Sequence, residues 1–278
     1  MKPITDILAN GTRRHFQPPR TRAENDPESG MQARLAKLVG VVAFALPIVL
    51  MLGAANGSCM RDSISHFYYA QFLGPIFVGM LSFIGGFLIA YRGEHWLENR
   101  GATLAGLGAF GVAVLPTTGP GCEQATGLLF RTFATLDENG LPVIVEGRNA
   151  FELFSRVHHL HTIAAAVVFG FLALFILVVL RRVVPERHEQ NGQIIPTKRK
   201  RNVLYSLCGG TILLCIALLG AKQMASEAFL VKWNTLNLTF VFEAIALWAF
   251  GIAWLAKGRQ FEELNDPSER DQPRRNVR

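Results

Sequence analysis

Charge is what the long stretches of this sequence lack. Of 278 residues, 18% are charged and 50% hydrophobic, a balance that favours membrane spans over a soluble core. Glu243 is the only Asp, Glu, Lys, Arg or His well inside an apolar run. Cysteine is scarce as well. The four present, with no C-x-x-C pair, exclude a disulfide scaffold and a thioredoxin-type redox motif. The first 37 residues have no apolar core of the signal-peptide kind, so the first span is expected to act as an uncleaved anchor. No basic stripe is interleaved with aromatics, which argues against nucleic acid as a partner despite a net charge of +7. No internal repeat is visible, and a proton-coupled transporter would rest on Glu243 alone.

What is present is a series of apolar runs. Spans are expected at about Leu38–Ala55, Gln71–Tyr91, Ala102–Leu115, Leu160–Leu180, Val203–Ala221 and Thr235–Ala256. The expected fold class is therefore all-α, a polytopic membrane protein built as a bundle of six transmembrane helices. Residues 1–34 and 259–278 are expected to be flexible tails around a membrane domain of residues 35–258. The third span is short and carries Gly101, Ala105, Ala109 and Ala113 at four-residue steps, a smooth stripe that suits the middle of a bundle.

Thr117 to Val157 forms the longest polar connection. Thr132–Leu136 and Leu141–Val145 flank Asp137-Glu138-Asn139-Gly140, which predicts a small β-hairpin in this second outer loop. Asn149-Ala150-Phe151-Glu152 reads as a capping box opening the fourth helix. Lys and Arg fall unevenly: 22 lie in the two tails and alternate loops, and six lie on the other side. The positive-inside rule places both termini in the cytoplasm, as for a multi-pass protein of a bacterial inner membrane.

Four groups of residues invite a chemical reading. His158 and His161 stand at i and i+3 at the mouth of the fourth span, and His66 precedes the second, with Ser63 and Ser65 beside it. His66, His158 and His161 together suit zinc and a water, with Asp62 or Glu152 as acid or base. A b-type haem between His66 and the later histidines is a variant. The plain alternative is interfacial histidines bonded to nearby loops. Glu243 counts about ten residues in from Trp233, ~15 Å deep, with Thr235 and Thr239 before it on the same face. It is either a titrating or ligating carboxylate or a lock on helix packing. By this count it lies ~12 Å deeper than His161, too far for one coordination shell. Cys59 and Cys122, in the two outer loops, form either a disulfide or two separate thiols. Cys208 and Cys215 look like small buried residues.

Two stretches carry a likeness. Ser63-Ile64-Ser65-His66-Phe67-Tyr68-Tyr69 leads to Tyr91-Arg92-Gly93, and Phe242-Glu243-Ala244-Ile245-Ala246-Leu247-Trp248-Ala249-Phe250-Gly251 leads to Lys257-Gly258. With the Lys198–Arg201 cluster, they resemble uncharacterised bacterial six-span membrane proteins and, more distantly, the Frag1/DRAM/Sfk1 group. That resemblance brings no site residues. The serine and histidine loop is also similar to alkaline ceramidase-like hydrolases, which use Ser, His and Asp around zinc. This chain departs from them in having six expected spans and no H-x-x-x-H near its end. The leading expectation is a non-catalytic membrane protein that binds a lipid or partner through its outer face. A metal-dependent hydrolase is the alternative.

Overall fold

The computed structural model describes residues 27–56, 60–70, 72–92, 96–115, 135–136, 142–143 and 160–265. Cys59, Cys122, Glu152 and His158, and with them the expected disulfide and capping box, lie outside the described residues.

Among the described residues six long helices carry the fold: α1 (Pro27–Ala55), α2 (Leu73–Ala90), α3 (Trp96–Val114), α4 (Leu160–Leu174, continued by a π-type segment Phe175–Leu180), α6 (Pro196–Ala221) and α8 (Leu238–Lys257). Two shorter helices, α5 (Pro185–His188) and α7 (Glu227–Thr235), lie in connections. Each long helix packs on the next in sequence, and α8 closes back onto α1, so the six form a ring; α8 also reaches α4 across the centre.

Periodicity explains which faces turn inward. Val39, Ala43, Leu46 and Leu50 on α1, and Phe77, Leu81, Ile84 and Leu88 on α2, recur at three- and four-residue steps, and all are buried. The opposite faces are apolar too: Leu104, Leu107, Leu174, Val178, Leu207 and Leu214 are exposed. Among the described residues, five of the six long helices are long and apolar enough to cross a membrane, namely all of the six but α3.

Helix α3 does not occupy the middle. It stands in the ring between α2 and α4 and uses its small residues on both sides. Ala105 and Ala109 are fully buried, and Gly85 and Gly106 let α2 and α3 touch backbone to backbone; a Cβ on Gly106 would sit 2.6 Å from the Gly85 carbonyl. The central crossing belongs to α8, whose Phe250, Ala253 and Trp254 have no exposed surface.

The expected hairpin is present, with β1 (Thr135–Leu136) paired antiparallel to β2 (Pro142–Val143). A second, unexpected hairpin pairs β3 (Glu189–Gln190) with β4 (Gln193–Ile194) around Asn191-Gly192, both at positive φ. The Asn-Gly pair announced it. Beyond it α6 starts at Pro196, so Lys198–Arg201 form its first turns rather than a loop; Lys198 and Arg201 are buried. Helix α1 likewise begins at Pro27, earlier than expected. Residues 259–265, expected to belong to the flexible tail, form a turn closed by a 3-10 helix at Glu262–Leu264.

Candidate functional site: a buried plug of serine and histidine

One end of the ring is closed by a short 3-10 helix of six residues, Ile64–Tyr69. The local sequence dictates this. Ser63 takes an extended conformation and its Oγ accepts from Ser65 N–H, a side-chain N-cap. In a 3-10 helix residues three apart line up, and Ile64, Phe67 and Ala70 form one buried apolar edge. That edge inserts among α1, α2, α3 and α8. Ser63, Ser65 and His66 are carried in with it and are buried.

Glu243 holds the plug to α8. Its Oε2 accepts from the Ile64 amide at 2.7 Å and lies 2.8 Å from Ser63 Oγ, with Oε1 at 3.0 Å from the same hydroxyl. One turn earlier, the Phe240 amide donates to the Asp62 carbonyl at 2.7 Å, satisfying a free N–H of the first turn of α8. The Phe67 and Phe240 rings meet beside these bonds, 6.0 Å between centroids.

The depth expected for Glu243 needs correction. Asn237 adopts a left-handed conformation and separates α7 from α8, so the helix bearing Glu243 starts at Leu238, five positions before it. That is ~7.5 Å of rise rather than ~15 Å. Thr235 therefore belongs to α7, where its hydroxyl donates to the Val231 carbonyl. Thr239 does sit one turn before Glu243, but it accepts from Lys222 Nζ at 2.9 Å and Trp233 Nε1 at 2.8 Å.

His161 holds the plug to α4. Its Nδ1 is 2.7 Å from the Leu115 carbonyl oxygen, just past the end of α3, and its Nε2 is 3.0 Å from Ser65 Oγ. A carbonyl only accepts, so Nδ1 carries the proton and Ser65 donates to Nε2. Glu243 and His161 thus meet the same short element, although no bond joins them directly.

Beneath the plug lies a cavity of about 50 Å³, bounded by Ser65 and Glu243 at one end and by Leu81, Ile84, Leu172 and Phe250 beyond. One water needs roughly 10–15 Å³ by this measure. The space takes a few waters, or a length of hydrocarbon with a polar group at its end.

The expected metal site includes His158, which lies outside the described residues; among the described residues no group of three His, Cys, Asp or Glu could hold an ion. His161 uses both ring nitrogens in hydrogen bonds. His66 has its Nδ1 buried with no hydrogen-bond partner among the described residues. Burial first, then the electrostatic influence of Arg61, His161 and Lys222, pushes His66 down to about 4. Burial raises the nearby Asp62 carboxyl, and Lys222 opposes this. His66 is therefore neutral at pH 7 when folded, and an unfolded chain takes up its proton first as pH falls. Stability is expected to drop between about pH 6.5 and pH 4. Thermal unfolding in detergent at pH 7 and pH 5 checks this: the loss should shrink in His66→Gln, and an equal loss in both proteins would refute the assignment.

Three participants escaped the sequence reading. The sequence marks Ser65 only as a neighbour of His66, Lys222 only as one of the six basic residues on the less basic side, and the Leu115 carbonyl not at all. The three-residue spacing of Ile64, Phe67 and Ala70 was the available signal that the loop is buried. Compared with known proteins, the chain matches no family model, no curated protein and no solved structure.

Proposed function

We propose that this chain is a six-span inner-membrane protein, both termini cytoplasmic, that binds a membrane lipid with its acyl chain in the cavity beneath the plug. The observation that carries the reading is the cavity itself, apolar along its walls and bounded at one end by Ser65 and Glu243. A polar end and a hydrocarbon lining match an amphipathic ligand. Five apolar helices and a ring with apolar residues outside as well as inside support the membrane setting. The sixth span is α3, which must run the length of its neighbours α2 and α4 to pack against both. Among the described residues, Arg92, Lys198, Arg199, Lys200, Arg201 and Lys257 stand at the helix ends away from the plug, and by the positive-inside rule this supports an outward-facing plug.

Photo-crosslinking tests the reading. The protein, reconstituted in vesicles containing a phospholipid with a diazirine in its acyl chain, is irradiated and digested. Adducts are expected on cavity residues such as Phe169, Leu172 and Leu247, and they should fall in Leu247→Trp, which fills the space. Adducts confined to the exposed Leu174, Val178, Leu207 and Leu214 would mean that lipid touches only the outer surface.

A further inference from the structure

We infer that Ser65 and His161 form a nucleophile–base pair for acyl transfer, and that its substrate is an ester of the lipid whose chain occupies the cavity. This rests on the lipid-binding reading and adds a reaction to it.

The geometry is that of an activated hydroxyl. Ser65 Oγ lies 3.0 Å from His161 Nε2, within the 2.6–3.2 Å reach of about one hydrogen bond that a general base requires. The Leu115 carbonyl accepts from Nδ1 and fixes the tautomer, so the nitrogen facing Ser65 is the one with a free lone pair. This is the arrangement of nucleophile, base and orienting acceptor, with a backbone carbonyl as the third member. His161 sits at the second position of α4, where the helix backbone holds it, and Leu115 immediately follows α3. Ser65 is fixed in turn: its amide donates to Ser63 Oγ, and Ser63 is bonded to Glu243.

Position completes the argument. Both Ser63 and Ser65 are buried on the plug, but Ser65 is the one that lines the cavity. Ser63 Oγ is held by the Glu243 carboxylate, accepts the Ser65 amide and does not line the cavity. An acyl ester with its chain along Leu81, Ile84 and Leu172 places its polar end at Ser65.

Ser65 Oγ attacks the ester carbonyl and passes its proton to His161 Nε2. The carbon–oxygen bond to the alcohol breaks, and the alcohol leaves with the proton from His161. Water then attacks the acyl-serine, His161 takes its proton and returns it to Ser65, and a carboxylic acid is released. Glu243 is a positioning residue in this scheme, since it touches the plug and not the reacting atoms.

The test uses the full chain in detergent with a long-chain alkyl fluorophosphonate. Its phosphorus bonds to an activated serine as fluoride leaves. Peptide mass spectrometry is expected to find the adduct on Ser65. The adduct should be absent in Ser65→Ala and form 100-fold or more slowly in His161→Gln, since a general base contributes about 10²–10⁴-fold. Ser63→Ala should still label, which separates the reacting hydroxyl from the capping one. Should Ser65→Ala fail to fold, Ser65→Cys replaces it: alkylation by a long-chain iodoacetamide is expected to depend on His161 in the same way. An adduct on other serines only, no adduct at all, or a rate indifferent to His161→Gln would overturn the pair. Diazirine adducts on the cavity walls without modification of Ser65 would leave lipid binding standing and remove the reaction; loss of both would remove the two readings together.

Discussion

Glu243→Leu is expected to lower stability by on the order of 2–4 kcal/mol, because it leaves two donors at the plug without their acceptor. The Ile64 amide loses its carboxylate acceptor at 2.7 Å and Ser63 Oγ–H loses one at 2.8 Å. Neither can turn to water without pulling Ile64 and Phe67 out of the apolar end of the ring. Glu243→Gln keeps one carbonyl oxygen for the Ile64 amide, and its NH₂ can donate to Ser63 Oγ. It should cost far less, about 1 kcal/mol. Thermal unfolding in detergent orders the three proteins: wild type, Gln slightly below, Leu well below. Leu and Gln falling together near wild type would mean that Glu243 does not hold the plug.

The second large effect is expected at the other end of the bundle. Lys257 Nζ donates to the Tyr91 hydroxyl at 2.9 Å and lies 4.1, 4.6 and 4.9 Å from the ring centroids of Tyr91, Trp254 and Phe175. Three aromatic faces around one ammonium join α2, α4 and α8. Trp254 has no exposed surface while Lys257 is half-buried, and each cation–π contact contributes roughly 0.5–2 kcal/mol between exposed and desolvated sites. Lys257→Met keeps the length of the side chain and removes its charge. It is expected to cost about 2–4 kcal/mol, counting the lost hydrogen bond to Tyr91. Lys257→Arg keeps a cation and should recover part of the loss. Thermal unfolding checks both, and a Met variant as stable as wild type would show the cage to be incidental.

Much of the fold was legible because the apolar runs are long and nearly free of charge. The β1–β2 hairpin was legible from its turn residues. The site was less so. The expected separation of Glu243 from His161 assumed one continuous helix from Trp233, and a single positive φ at Asn237 broke that assumption. The polar side chains of Ser63, Ser65 and His66 make Ser63–Ala70 read as a polar loop. Three of its residues, Ile64, Phe67 and Ala70, bury a shared edge, and burial of that edge carries the serines and His66 inward. Position along a helix gave the depth of one partner only. The other partner moved to meet it. Lys198 and Arg201 carried a similar lesson: counted as loop charges, they are buried at the start of α6, where Lys198 Nζ donates to the last carbonyl of the π-type segment, Leu180.

The account stands on the plug being held by its bonds to α8, and a double-mutant cycle on Ser63 and Glu243 tests that most directly. Ser63→Ala, Glu243→Leu and the double variant are unfolded alongside wild type under one condition. Each single change has its own cost, including the N-cap bond from Ser65 that Ser63→Ala removes, and the cycle cancels those separate costs. A coupling of about 1–3 kcal/mol is predicted, the range for residues that share a buried hydrogen bond. Losses that add to within ~0.5 kcal/mol would contradict it, since that is the behaviour of residues that do not touch.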